Sequence, residues 1–137
     1  MKRHSVMIAA IPEAVREIVA AIAPLGLDLA TAHGLDDALT LFRESAPNLV
    51  VVGYLFDELH PYRLIESLSD VRRRRHRSFS IIMASTLPLH FTRLNQRDVD
   101  ATYRSLGANH VFFAERDDRR LEKLRELVQR CLRETAV

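Results

Sequence analysis

The residues able to do chemistry are scattered. The six histidines, His4, His33, His60, His76, His90 and His110, show no paired spacing of the HxxxH kind, and the single Cys131 has no second cysteine beside it. Metal sites readable from sequence need such repeats, so no metal and no cofactor is expected. Cys131 follows Leu124, Leu127 and Val128 at helical steps, which makes it a buried thiol on an inward face. No GxGxxG, P-loop or GxSxG pattern occurs, leaving dinucleotide binding, nucleotide hydrolysis and serine hydrolysis without a motif. The densest charge feature is VRRRRHR, whose cations are Arg72, Arg73, Arg74, Arg75 and Arg77. Such a run can neutralise nucleic-acid phosphates or acidic headgroups, but cations also collect at a helix C-terminus because they suit its dipole. With no aromatics interleaved and no DNA-binding motif, nucleic acid is the weaker reading. An acidic protein surface serves equally well.

These residues must be carried by a single unit. The 137 residues suit one domain, spanning 1–137, with 47% apolar and 28% charged residues, the balance of a packed soluble protein. The net charge of +2 is too small to imply nucleic acid by itself, and eighteen of the twenty basic residues are Arg. No apolar run reaches membrane-spanning length, and Pro12 and Glu13 interrupt the N-terminus before a signal peptide could form. No membrane insertion and a cytoplasmic location are the expectation.

Short apolar runs alternate with helical patterns along the whole chain. Val6–Ala10, Leu27–Ala32, Leu49–Val52, Phe79–Ala84 and Val111–Ala114 read as strands. Between them, Pro12 opens a helix with Val15, Ile18, Val19 and Ile22 inward, Asp36 and Asp37 open a second, and Tyr62, Ile65 and Leu68 mark a third ending in the arginine run. A fourth is expected within Arg97–Leu106 and a fifth after Asp117 and Asp118. Five such alternations predict an α/β fold, a doubly wound parallel sheet of order 2-1-3-4-5 with helices on both faces. Ligands of such sheets bind at the carboxyl ends of the strands near the switch point. Gly53 stands at that address.

PNLVVVG, SIIMAST and LGANHVFFAE, in that order and inside this alternation, resemble the receiver domain of bacterial two-component response regulators over essentially the whole chain. The resemblance implies a flavodoxin-like fold and a phosphorylation site with an acidic pair after strand one, an aspartate ending strand three, a hydroxyl ending strand four and a lysine ending strand five. Each has a physical reason: magnesium needs carboxylate oxygens, the phosphoryl group needs an oxygen nucleophile, and its anionic oxygens need an ammonium and a hydroxyl. On this chain the acidic pair falls on Ala9, Ala10 or Ile11, the acceptor on Gly53, the lysine on Ala114 and the aromatic switch residue on Val111. Only Ser85 remains. No Asp or Glu lies between Lys2 and Ile11 or between Asn48 and Leu55, so a small slip in register restores nothing.

The chain therefore resembles a pseudo-receiver, expected to be non-catalytic and to act through protein contacts. By analogy the contact surface is the fourth helix, fifth strand and fifth helix, with Leu87, Leu89, Phe91, Leu94, Tyr103, Arg119 and Lys123 as its residues, and a homodimer and a protein partner from a bacterial signalling pathway as its occupants. The connection at about 86–97 looks long for the family and carries four large apolar residues in a segment that should be surface loop. A second reading gives the vacated site, lined by Ala9, Ala10, Gly53 and Ala114, to a small molecule. Two lesser readings are nucleic-acid association through Arg72–Arg77 and residual phosphoryl chemistry on Asp57, in the loop with Glu58. Arg116 is the nearest cation beyond Ala114.

Overall fold

Strand runs that are apolar at every position need cover on both faces, and the chain provides it. A computed structural model of the protein describes residues 4–56, 61–75, 78–86, 93–115 and 119–135. Within these lie five strands, β1 (Ser5–Ala9), β2 (Asp28–Ala32), β3 (Leu49–Gly53), β4 (Ser80–Ser85) and β5 (His110–Phe113). They form one parallel sheet of order β2-β1-β3-β4-β5, the order expected from the alternation. The helices are α1 (Pro12–Ile22), α2 (Leu35–Ser45), α3 (Pro61–Arg75), α4 (Arg93–Leu106) and α5 (Arg120–Thr135).

Alternation of side chains along each strand divides the core in two. On one face Val6, Ile8, Leu49, Val51 and Ile82 pack with Ile18 and Ile22 of α1 and Leu124 and Val128 of α5. On the other, Met7, Val50, Val52, Ile81 and Met83 meet Phe42 of α2 and Leu64, Ile65 and Leu68 of α3. β3 is buried along its whole length, as its unbroken apolar run requires. Gly26, at φ 65°, ends the short 3-10 turn after α1 in the left-handed region that glycine tolerates best. No helix among the described residues is long and apolar enough to cross a membrane.

The strand bounds differ from the sequence reading by about one residue. α4 differs more: it begins at Arg93, not Arg97, so the second half of the expected long connection is helix. Residues 87–92 lie outside the described residues.

Arg72 is the largest departure from the charge pattern. Its guanidinium leaves the arginine run and donates to the carbonyl of Gly107 at 2.7 Å, to Asn109 Oδ1 at 2.7 Å and to the carbonyl of Phe79 at 3.3 Å, while lying 5.6 Å from the Phe79 ring centroid. Asn109 Oδ1 also accepts from the backbone N–H of Ile81 at 2.8 Å. One side chain thus ties the end of α3 to the entry of β4 and the turn before β5. Partial burial lowers the Arg72 pKa, and the three acceptors make a planar, multi-donor cation the group that fits. Charge-assisted bonds of this kind contribute about 1.5–3 kcal/mol, whereas exposed surface changes stay within about 0.5 kcal/mol. Arg72→Ala should therefore lower the urea midpoint by the equivalent of about 2 kcal/mol, with Arg74→Ser and Arg75→Ser nearly silent. Equal effects at the three positions would refute the structural role of Arg72.

Candidate functional site

At the carboxyl ends of β1 and β3 the chain packs against itself. Ala9 and Ala10 are fully inaccessible to solvent, and Gly53 is buried beside them. A Cβ placed on Gly53 would lie 2.6 Å from the Cβ of Ala10, 3.3 Å from the carbonyl oxygen of Leu55 and 3.4 Å from the Cα of Ala10. The first distance is closer than two carbons can approach. Glycine stands at this position because the loop after β1 occupies the volume that any side chain would need.

Hydrogen bonds hold that loop down. The N–H of Ile11 donates to the carbonyl of Leu55 at 3.1 Å, joining the connections that leave β1 and β3. Ala10 N–H donates to Ala32 at 3.1 Å, and the carbonyl of Ala10, which can only accept, takes Nδ1–H of His33 at 3.1 Å. Tyr54 N–H donates to Ala84 at 2.9 Å, and Ala114 N–H to Ser85 at 2.8 Å. Phe56, 2% exposed, joins the cluster that holds Ala9, Ala32 and Val52. Among the described residues, Ala9, Ala10 and Gly53 are packed together at this pole, while Ala114 is half-buried.

Two hydroxyls remain at this pole. Ser85 and Thr86 are the buried polar side chains among the described residues, and Thr86 Oγ1 has no hydrogen-bond partner. Val111 and Ala114 are half-buried, with Val111 packed against the α2–α3–α4 side of the sheet. Asp57, Glu58 and Arg116, considered as substitutes for the missing groups, lie outside the described residues.

No protein-family model matches the chain, and no curated protein sequence matches it. Solved structures do. The CheY-like receiver domain protein from Methanospirillum hungatei is 14% identical with a TM-score of 0.74, each chain covering 98% of the other. The receiver domain of NtrX from Brucella abortus is 17% identical with a TM-score of 0.71, over 93% of this chain and 98% of that one. The chemotaxis response regulator CheY4 of Vibrio cholerae is 14% identical with a TM-score of 0.71, over 95% and 99%. The fold is that of a receiver domain. At such identities the likeness is one of architecture.

On the receiver fold, the α4–β5–α5 face is where the sequence reading placed a contact surface. A groove of about 440 Å³ lies there, lined by Gln96, Arg97 and Asp100 of α4 and by Phe113 of β5. These four were not singled out from sequence, although the i, i+4 spacing of Gln96 and Asp100 places them on one helical face. Arg119 and Lys123 are exposed as expected, Arg119 2.9 Å from Glu122 and Lys123 3.5 Å from Glu115. Tyr103 is a correction. It is 7% exposed, packs edge-on to Tyr54 at 6.3 Å, and belongs to the core. Burial first, then Tyr54 and Tyr62, push its pKa up to about 12. Leu87, Leu89 and Phe91 lie outside the described residues; Leu94 is in α4, with its side chain likewise outside them.

The basic run is reduced as well. Arg72 is used inside the fold, Arg73 pairs with Asp70, Arg74 and Arg75 are exposed, and Arg77 lies outside the described residues. Among the described residues the run leaves three exposed cations, one of them paired with Asp70, a short stretch for a phosphate-binding track.

The Ala10–Gly53 contact carries a test of its own. Gly53→Ala and Gly53→Asp should each destabilise the protein by about 1–3 kcal/mol, the range for overpacking a filled core. Ala10→Gly should recover a large part of the Gly53→Ala loss, giving a coupling of at least about 0.5 kcal/mol in a double-mutant cycle. Additive effects in denaturant unfolding would show that the two positions do not touch.

Proposed function

We propose that this protein is a non-catalytic signalling module of the receiver type that is not phosphorylated on aspartate and works through protein contacts of its α4–β5–α5 face, in a bacterial signalling pathway. The observation that carries the reading is the closed pole: an acceptor carboxylate at position 53 has neither a side chain to come from nor a volume to occupy. Metal ligation and charge neutralisation fail with it, because Ala9, Ala10 and Ala114 present no carboxylate and no ammonium. Receiver switching normally begins with that chemistry. A chain that keeps the scaffold without it retains its surfaces as the means of transmission.

The occupant proposed for the face is a second copy of the chain. The face carries both signs of charge, Arg97, Arg119 and Lys123 against Asp100, Glu115 and Glu122, beside the half-buried ring of Phe113. A two-fold contact places each patch on its own copy, so mixed charge around an aromatic centre is self-complementary in a way that a single-sign patch is not.

Two measurements test this reading. Incubation with acetyl phosphate and magnesium should add no phosphate mass to the intact protein; a gain of one phosphate that hydroxylamine removes would contradict it. In sedimentation at high micromolar concentration the protein should associate as a dimer, and Phe113→Ser should weaken that association at least about tenfold, the range of an interface centre residue. A strictly monomeric protein would contradict the homodimer.

A further inference from the structure

Parallel strands and their returning helices bring together, at the amino end of the sheet, residues that sequence spacing keeps apart. His110 opens β5, and Cys131 and Glu134 stand one helical step apart near the end of α5. Their ligand atoms, an imidazole nitrogen, the thiol sulfur and a carboxylate oxygen, all lie within 4.8 Å of one another. Nε2 of His110 is already 3.7 Å from Oε2 of Glu134. We propose that His110, Cys131 and Glu134 form a binding site for a thiophilic divalent cation of the zinc class, remote from the pole at Gly53.

The dimensions fit such an ion. With metal bonds of about 2.0–2.3 Å, tetrahedral ligands stand about 3.3–3.7 Å apart, so the trio has to close by about 1 Å. Glu134 supplies the adjustment, since its side chain is 57% exposed and turns without disturbing the core. The i, i+3 placement of Cys131 and Glu134 puts both on one face of α5, and His110 faces them from the α1–α5 side of the sheet, the side on which Phe112 packs. Three protein ligands leave a fourth position for water or another donor.

The donor set decides the class of ion. A sulfur and an imidazole select zinc, cobalt or cadmium over magnesium and calcium, which take oxygen. Cys131 is buried, and burial first, with Glu134 adding and Arg130 opposing, pushes its pKa up to about 11. Only a metal with strong affinity for thiolate displaces that proton at neutral pH. Its effect would be mechanical: the ion clamps the last turns of α5 to the start of the edge strand β5, two elements of the proposed contact face.

Cobalt chloride titrated into chelator-treated full-length protein tests the site, because cobalt bound to a thiolate gives a charge-transfer absorption in the near ultraviolet. One equivalent should produce that band, zinc should abolish it by displacement, and magnesium should not. Cys131→Ser should lose the band, while His110→Gln and the exposed Glu134→Gln, which leave the core intact, should weaken cobalt binding at least about tenfold. Zinc should raise the melting temperature of the parent protein but not of Glu134→Gln. Absence of the thiolate band in the folded parent, or unchanged affinity in both His110→Gln and Glu134→Gln, would overturn the proposal.

Discussion

A single steric fact organises the functional pole: Ala10 and Gly53 touch. The end of β3 meets the first residue beyond β1 so closely that no side chain fits between them, and the loops beyond both strands are joined by the Ile11–Leu55 hydrogen bond. Ala10 is buried in the α1–α5 layer and Ala9 in the opposite one, so this contact sits where the two layers meet at the strand ends. Protein interiors are close-packed, and the small residues Ala9, Ala10 and Gly53 let the two strand ends lie this near each other.

Around that pole stands the five-stranded parallel sheet of order β2-β1-β3-β4-β5. Two apolar layers sandwich this sheet, and Arg72 fastens its far half through acceptors at the entry of β4 and in the turn before β5. On the proposed reading the scaffold and the chemistry are separable: the sheet and its crossovers stand with Ala10, Gly53 and Ala114 at the positions where the receiver resemblance implies phosphoryl-transfer residues. Stability resides in burial and in the Arg72–Asn109 junction. On that reading, transmission passes through surface shape and charge.

Much of this was legible in the residues. Strands such as Leu49–Val52 and Phe79–Ala84 announce themselves because parallel strands covered on both faces read as continuous apolar runs, and the absence of acids around β1 and β3 is a matter of counting. Other features depend on distance in space. Arg72 looked like one cation of five because its acceptors lie up to 37 residues away. Tyr103 looked like a surface aromatic, but the phase of α4 turns it toward Tyr54 and the core. The small residues at Gly53 and Ala10 were visible in the sequence, and the close contact between them was not. His110 and Cys131 likewise sit 21 positions apart, beyond any ligand-spacing pattern.

The most direct measurement is nuclear magnetic resonance of the labelled full-length protein, following the Ala10 methyl and the Gly53 α-protons before and after addition of magnesium with beryllium fluoride, a phosphoryl mimic. A closed pole predicts a strong through-space cross-peak between Ala10 and Gly53 that persists unchanged, with no shift at Ser85 or Ala114. Loss of that cross-peak, or shifts confined to Ala10, Gly53, Ser85 and Ala114 on adding the mimic, would show an open and occupied site and contradict the account.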